Sequence, residues 1–210
     1  MNDKLDFKKQ YKDLYQPGTT PSLIEIPPIP YLMVDGVGAP EGEAYGQALE
    51  MLYAVTFTIK MSKMNGTQPA GYVEYVVPPL EGLWDCGAAG FDAENRENWR
   101  WTSLLRQPDF VTGEVFGWAV DIAAKKKPGL PFDRVRLETY DEGLCVQQLH
   151  VGPYSTEQET IDQIGLFIRD NGLTDQCGTE RRHHEVYLSD PRRTKPERLR
   201  TILRHPVARG

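Results

Sequence analysis

The run Leu104-Leu105-Arg106-Gln107-Pro108 returns near the C-terminus as Ile202-Leu203-Arg204-His205-Pro206. Two further echoes keep the same order. Val37-Gly38 before one amphipathic stretch matches Val151-Gly152 before another, and Val73-Glu74-Tyr75-Val76 resembles Glu185-Val186-Tyr187-Leu188. The chain therefore reads as one unit written twice. Two copies of a unit are expected to pack about a pseudo-two-fold axis, with a central cleft on that axis as the place for a ligand. The offset between matched runs is nearly constant for the first two, 114 and 112 positions, and drops to 98 at the last. That puts an insertion near residues 80–95 of the first copy, a lid or a plain hairpin, which carries Trp84.

Periodicity fills in the unit. Tyr31 to Val34 reads as a strand, and Tyr45, Leu49, Leu52, Tyr53, Thr56 and Ile59 fall at helical spacing. Tyr72 to Val77 is β-branched and aromatic up to Pro78-Pro79, so a strand is expected there too. Trp99, Trp101, Ser103 and Leu105 alternate onto one strand face. Thr112 is placed to cap a helix that Pro128-Gly129 ends, with Lys125 to Lys127 in its last turn. In the second copy, strands are expected at 135–140 and 144–151. Ser155-Thr156 with Glu159 looks like a capping box for a helix along Ile161, Ile164 and Ile168. Strands at 183–188 and 198–203 follow.

The expected fold is α+β: duplicated βαββ modules forming an antiparallel sheet with helices on one face. A single domain, 1–210, would comprise an N-terminal extension (1–20), a first repeat (21–110), a connecting helix (111–130) and a second repeat (131–210). The extension mixes charges with Leu5, Phe7, Tyr11, Leu14 and Tyr15, which predicts a short helix lying across the body.

Composition narrows the function. With 40% hydrophobic and 26% charged residues the chain has an ordinary globular balance. No apolar run approaches the roughly 18 residues of a membrane span, and the start lacks a signal-peptide core, so a cytoplasmic protein without membrane contact is expected. A net charge of −6 speaks against direct nucleic-acid binding. The arginine-rich stretch from Arg181 to Arg204 is interrupted by acids, prolines and apolar residues and reads as a solvated face. A docking surface for a protein partner is the weaker reading. Cys86, Cys145 and Cys177 form no CxxC, no His or Cys spacing suits a metal, and no phosphate or dinucleotide loop is present, so no cofactor is expected.

One strand concentrates the chemistry. In His183-His184-Glu185-Val186-Tyr187-Leu188, alternation puts His183, Glu185 and Tyr187 on one face and Val186 and Leu188 on the other. If Val186 and Leu188 meet the covering helices, Glu185 and Tyr187 line the cleft. Trp84, Trp99, Trp101 and Tyr75 could supply an aromatic wall for flat or cationic ligands. The alternatives are a solvated glutamate on an exposed strand and tryptophans that are simply core. Trp118 and His150 read as structural.

The runs Leu149-His150-Val151-Gly152-Pro153-Tyr154, Val77-Pro78-Pro79-Leu80-Glu81-Gly82-Leu83-Trp84 and Glu185-Val186-Tyr187-Leu188-Ser189-Asp190-Pro191-Arg192-Arg193-Thr194 resemble the GyrI-like family of small-molecule-binding domains. The likeness extends over nearly the whole chain. It implies a central cleft in which a buried glutamate, here Glu185, meets cationic aromatic compounds among aromatic residues, with Tyr154 among the ligand contacts. The tryptophans make the chain more similar to a stand-alone subgroup that hydrolyses cyclopropane-bearing DNA-alkylating compounds. In that reading Glu185 is the base and Tyr187, or another tyrosine of the cage, the hydrogen-bond donor. The alternative is a non-catalytic protein that sequesters hydrophobic or cationic aromatic drugs.

Overall fold

A computed structural model describes residues 4–85, 95–178 and 181–210. The N-terminal segment folds as two single-turn helices, α1 (Phe7–Gln10) and α2 (Lys12–Tyr15), because Tyr11 leaves helical backbone between them. The chain continues through β1 (Ser22–Ile26), β2 (Ile29–Val37), α3 (Glu43–Met61), β3 (Leu80–Trp84), β4 (Arg100–Arg106) and α4 (Gly113–Lys126). It then runs through β5 (Arg136–Tyr140), β6 (Gly143–Val151), α5 (Glu157–Asp170), β7 (Leu173–Asp175), β8 (His183–Tyr187) and β9 (Arg200–Arg209).

The nine strands of the described residues join one antiparallel sheet in the order β1-β6-β9-β8-β3-β4-β2-β5, with β7 pairing β9 alongside. The middle six read β6-β9-β8-β3-β4-β2. That order is unchanged on reversal when β6, β8 and β9 are exchanged for β2, β3 and β4. The outer strands cross over: β1 precedes α3 yet borders β6, and β5 borders β2.

Two expectations about the first half are corrected. Tyr72 to Val77 is not a strand; its ladder contact is a single bridge between Tyr75 and Leu5. The strand is instead Leu80–Trp84, the stretch assigned above to an insertion, and it pairs directly with β8. The run Leu-Glu-Gly-Leu-Trp hides this because its glutamate is completely buried and its glycine sits mid-strand. The rest of the expected insertion, residues 86–94 with Cys86, lies outside the described residues. The capping box before α5 also fails to form: Thr156 Oγ1 donates to the Pro153 carbonyl at 2.9 Å instead of capping. Thr112 does cap α4, accepting from the Val115 amide at 3.4 Å.

The two sheet faces carry different cores. On one, α3 and α4 cover Leu32, Val34 and Leu105, while α5 covers Val146, Leu203 and Val207. On the other, α1 and α2 pack over Tyr31, Met33, Leu83, Leu104, Val186 and Ile202. The echoed arginines both enter this second face and are buried. The Arg106 guanidinium lies over Phe7 and Tyr11, 4.4 and 4.2 Å from their ring centres. Arg204 approaches Glu142 at 3.7 Å.

Glu81 is the centre of this second face. It accepts from Tyr15 and Tyr31 hydroxyls at 3.2 and 3.0 Å and meets His184 Nε2 at 3.0 Å. The other nitrogen of His184 contacts Glu142 at 2.9 Å. Burial works against a charged His184, but Glu142 and Glu81 outweigh it and lift its pKa to about 9. Burial likewise opposes the charge on Glu142, and His184 and Arg204 hold its pKa below the usual value. The charges are thus paired within the core, as buried ions must be. Among the described residues no helix is long and apolar enough to cross a membrane.

Candidate functional site

Helix α3 packs on β2 and β4, and α5 packs on β6, β7 and β9. The seam between them is β3–β8, where Gly82 faces Glu185 in the ladder. Glu185 therefore shares the face of the long helices and stands in the gap between them. Val186 points the opposite way, under α1 and α2, so the expectation that it would meet the long helices is corrected. The alternation itself holds, and Glu185 retains only 13% side-chain exposure.

Aromatic rings build the walls. Tyr45, in the first turn of α3, stacks on Trp84 with ring centres 5.9 Å apart and meets Trp101 edge-on at 4.9 Å. Trp84 in turn meets Trp99 edge-on at 5.8 Å and donates its indole N–H to the Tyr187 hydroxyl at 3.0 Å. Tyr154, just before α5, meets the Tyr187 ring edge-on at 6.1 Å. Burial and the adjacent Glu185 push the Tyr187 pKa well above the usual phenol value. Tyr187 thus stays neutral, and its hydroxyl donates a hydrogen bond to the Glu185 side chain. The hydroxyl of Tyr45 lies against Ser103 and Tyr187.

The acidic floor has a second member that the sequence reading missed. Glu157 opens α5 and is 9% exposed. Burial first, and then the charge of Glu185, raise its pKa to about 9, with a hydrogen bond from Thr201 opposing. Its Oε1 has no hydrogen-bond partner among the described residues. Glu157 thereby keeps its proton to higher pH than an ordinary carboxyl, and a buried acid with a raised pKa is a candidate for an acid role in a site. The sequence offered a weak signal, an acid at the start of an amphipathic helix, but helix patterning accounted for that acid without a site.

The other expected residues divide. His183 is buried beside Glu185, Nε2 to Oε1 3.2 Å, and its ring meets His205 edge-on at 5.0 Å. Trp101 is 1% exposed and donates to the Gly38 carbonyl at 3.1 Å, so it backs the wall from within the core. Tyr75 does not join the site. It is fully buried against Phe110 and donates to the Thr56 carbonyl at 3.3 Å, because its segment packs beneath α3 instead of extending the sheet. His150 is structural, with Nδ1 2.8 Å from Thr160 Oγ1. Among the described residues no group of three or more His, Cys, Asp or Glu could hold a metal ion.

The model of the GyrI-like small molecule binding domain matches residues 108–208. A conserved protein from Listeria innocua, described as uncharacterized, is 51% identical over 98% of this chain and 100% of its own, with a TM-score of 0.94. The chain belongs to the GyrI-like family. A second Listeria innocua protein, described as a hydrolase, is 49% identical with the same coverages and a TM-score of 0.90. The C-terminal domain of EcmrR shares the GyrI-like fold at 13% identity, with a TM-score of 0.55 over 91% of this chain and 98% of that one. A search of the curated proteins finds no match. As a GyrI-like domain the chain is a small-molecule-binding protein.

Proposed function

We propose that this cytoplasmic protein binds planar aromatic compounds in the cleft and hydrolyses the activated cyclopropane of DNA-alkylating compounds that carry one. The observation that carries the reading is the pairing of Glu157 and Glu185 beneath a wall of rings. The hydrolase description of a Listeria relative, 49% identical over its full length, supports it.

In this reading a flat ligand lies against Trp84 and Tyr154. Glu185 accepts a proton from water as the water oxygen bonds to the cyclopropane methylene. The breaking carbon–carbon bond sends its electrons into the dienone, whose oxygen becomes a phenolate and takes the proton of Glu157. Water is added overall, and a proton returned from Glu185 through solvent restores Glu157. Tyr187, already committed to Glu185, orients the base instead of donating to the substrate as first expected. General acid and base assistance is worth about 10²–10⁴-fold each. Product formation from a cyclopropyl-dienone substrate tests the proposal. Glu185→Gln should lose that assistance, and turnover at the wild-type rate would remove the proposed base.

The same observation favours a second reading, sequestration without chemistry. Two acids and an unpartnered Glu157 oxygen in an aromatic cleft suit a cationic aromatic guest. Saturable binding with the cyclopropyl compound recovered unchanged by mass spectrometry would decide for it.

A further inference from the structure

A cavity of about 740 Å³ lies away from Glu185, where the end of β2 meets the starts of β4 and β5. Arg100, Arg134, Arg136 and Arg182 converge on it from three separate segments. Strand parity places Arg100 and Arg136 on the sheet face opposite the Glu185 side chain. In a chain with six more acids than bases this concentration of guanidiniums is a local reversal of charge.

The arginines are only partly occupied. Asp35 and Glu138 engage Arg136 at 2.7 Å each. Arg134 donates to the main-chain carbonyl of Asp35 at 2.7 Å, and Arg182 donates to Thr102 Oγ1 at 2.8 Å. These neutral acceptors fix the direction of two guanidiniums without cancelling their charge. Arg100 is exposed and has no ion pair among the described residues. Four guanidiniums thus meet two carboxylates, Glu138 and Asp35, the latter itself in the cavity lining, which leaves an excess of two positive charges among the described residues, with Arg134 and Arg182 held in place. Val37, the ladder partner of Arg100, and Ala44 add apolar surface to the lining.

We propose that this cavity is a second ligand site, for a small organic phosphate ester. Phosphate oxygens would take the forked donors of Arg100, Arg134 and Arg182, a geometry that guanidinium matches. The organic part would rest on Val37 and Ala44. Nothing in the site calls for a reaction; it is a binding site separate from the aromatic cleft.

Titration calorimetry of the intact chain with phenyl phosphate and with inorganic pyrophosphate tests this. Both should bind saturably at low salt, with affinity falling as salt screens the charges. Arg100→Gln combined with Arg182→Gln should weaken both by about tenfold or more, with the circular dichroism of the variant unchanged. Arg192→Gln with Arg193→Gln, on a distant loop, should leave binding as it is. Absence of saturable binding, or equal losses in the two double variants, would overturn the proposal. If the first double variant fails to fold, Arg134→Gln alone carries the same expectation.

Discussion

Gly82 stands opposite Glu185 in the β3–β8 ladder, and a β-carbon there would lie 2.9 Å from Trp84 Nε1 and 3.1 Å from the Tyr187 hydroxyl. The bare backbone at position 82 lets those two side chains meet above it. Gly82→Ala should therefore push Trp84 and Tyr187 apart and remove the bond that orients Tyr187 toward Glu185. Overpacking of this kind costs about 1–3 kcal/mol. A lowered Tm with a changed near-ultraviolet tryptophan signal, together with weaker binding of a planar dye, would be the expected outcome.

Glu157 makes stability depend on pH. Its pKa is raised by folding, so its favourable contribution is complete below the ordinary carboxyl range and is lost as pH rises through about 9. Glu157→Gln removes that loss. At pH 8 the variant should melt higher than the wild type, by at least ~1 kcal/mol in unfolding free energy, and at pH 4 the difference should vanish. Thermal unfolding across that range reads both arms.

The same proton should leave when a cation enters the cleft. A positive ligand favours the ionised form of Glu157, so binding of a cationic aromatic compound at neutral pH should release a proton. Calorimetry in buffers of different ionisation enthalpy would report it. Affinity should climb with pH and level off above about 9, and Glu157→Gln should abolish both effects.

On the opposite face, His184 sits between Glu81 and Glu142 with its pKa raised to about 9. Its stabilising charge is fully present below the ordinary histidine range and disappears as pH passes that value. The two alkaline losses can be separated, because Glu157→Gln leaves this one in place. His184→Ala would leave two buried acids without their shared cation, at a cost of about 3–5 kcal/mol. Denaturant midpoints at neutral pH would measure it.

The sequence exposed the parts of the site that follow from local pattern. Period-two alternation put Glu185 and Tyr187 on one face, and helical spacing found α3, α4 and α5. What stayed hidden depends on distant partners. Glu81 falls in the stretch that reads as an insertion, because the Tyr15, Tyr31 and His184 groups that satisfy it lie far away along the chain. Without that knowledge β3 could not be read as a buried strand. Tyr75 looked like the counterpart of Tyr187 because residue types matched, yet its hydroxyl serves Thr56. Glu157 owes its character to burial against Glu185 and Thr201, which no window of neighbouring residues contains.

The crossing of the outer strands has a mechanical consequence. Each half of the sheet is bordered by a strand that lies outside its own βαββ run, β1 beside β6 and β5 beside β2. A cut in the connection between α4 and β5 would leave both fragments interlaced, not freed, and neither expressed alone would have a finished rim. The two sides of the β3–β8 seam are thereby clasped by each other's ends into one continuous frame.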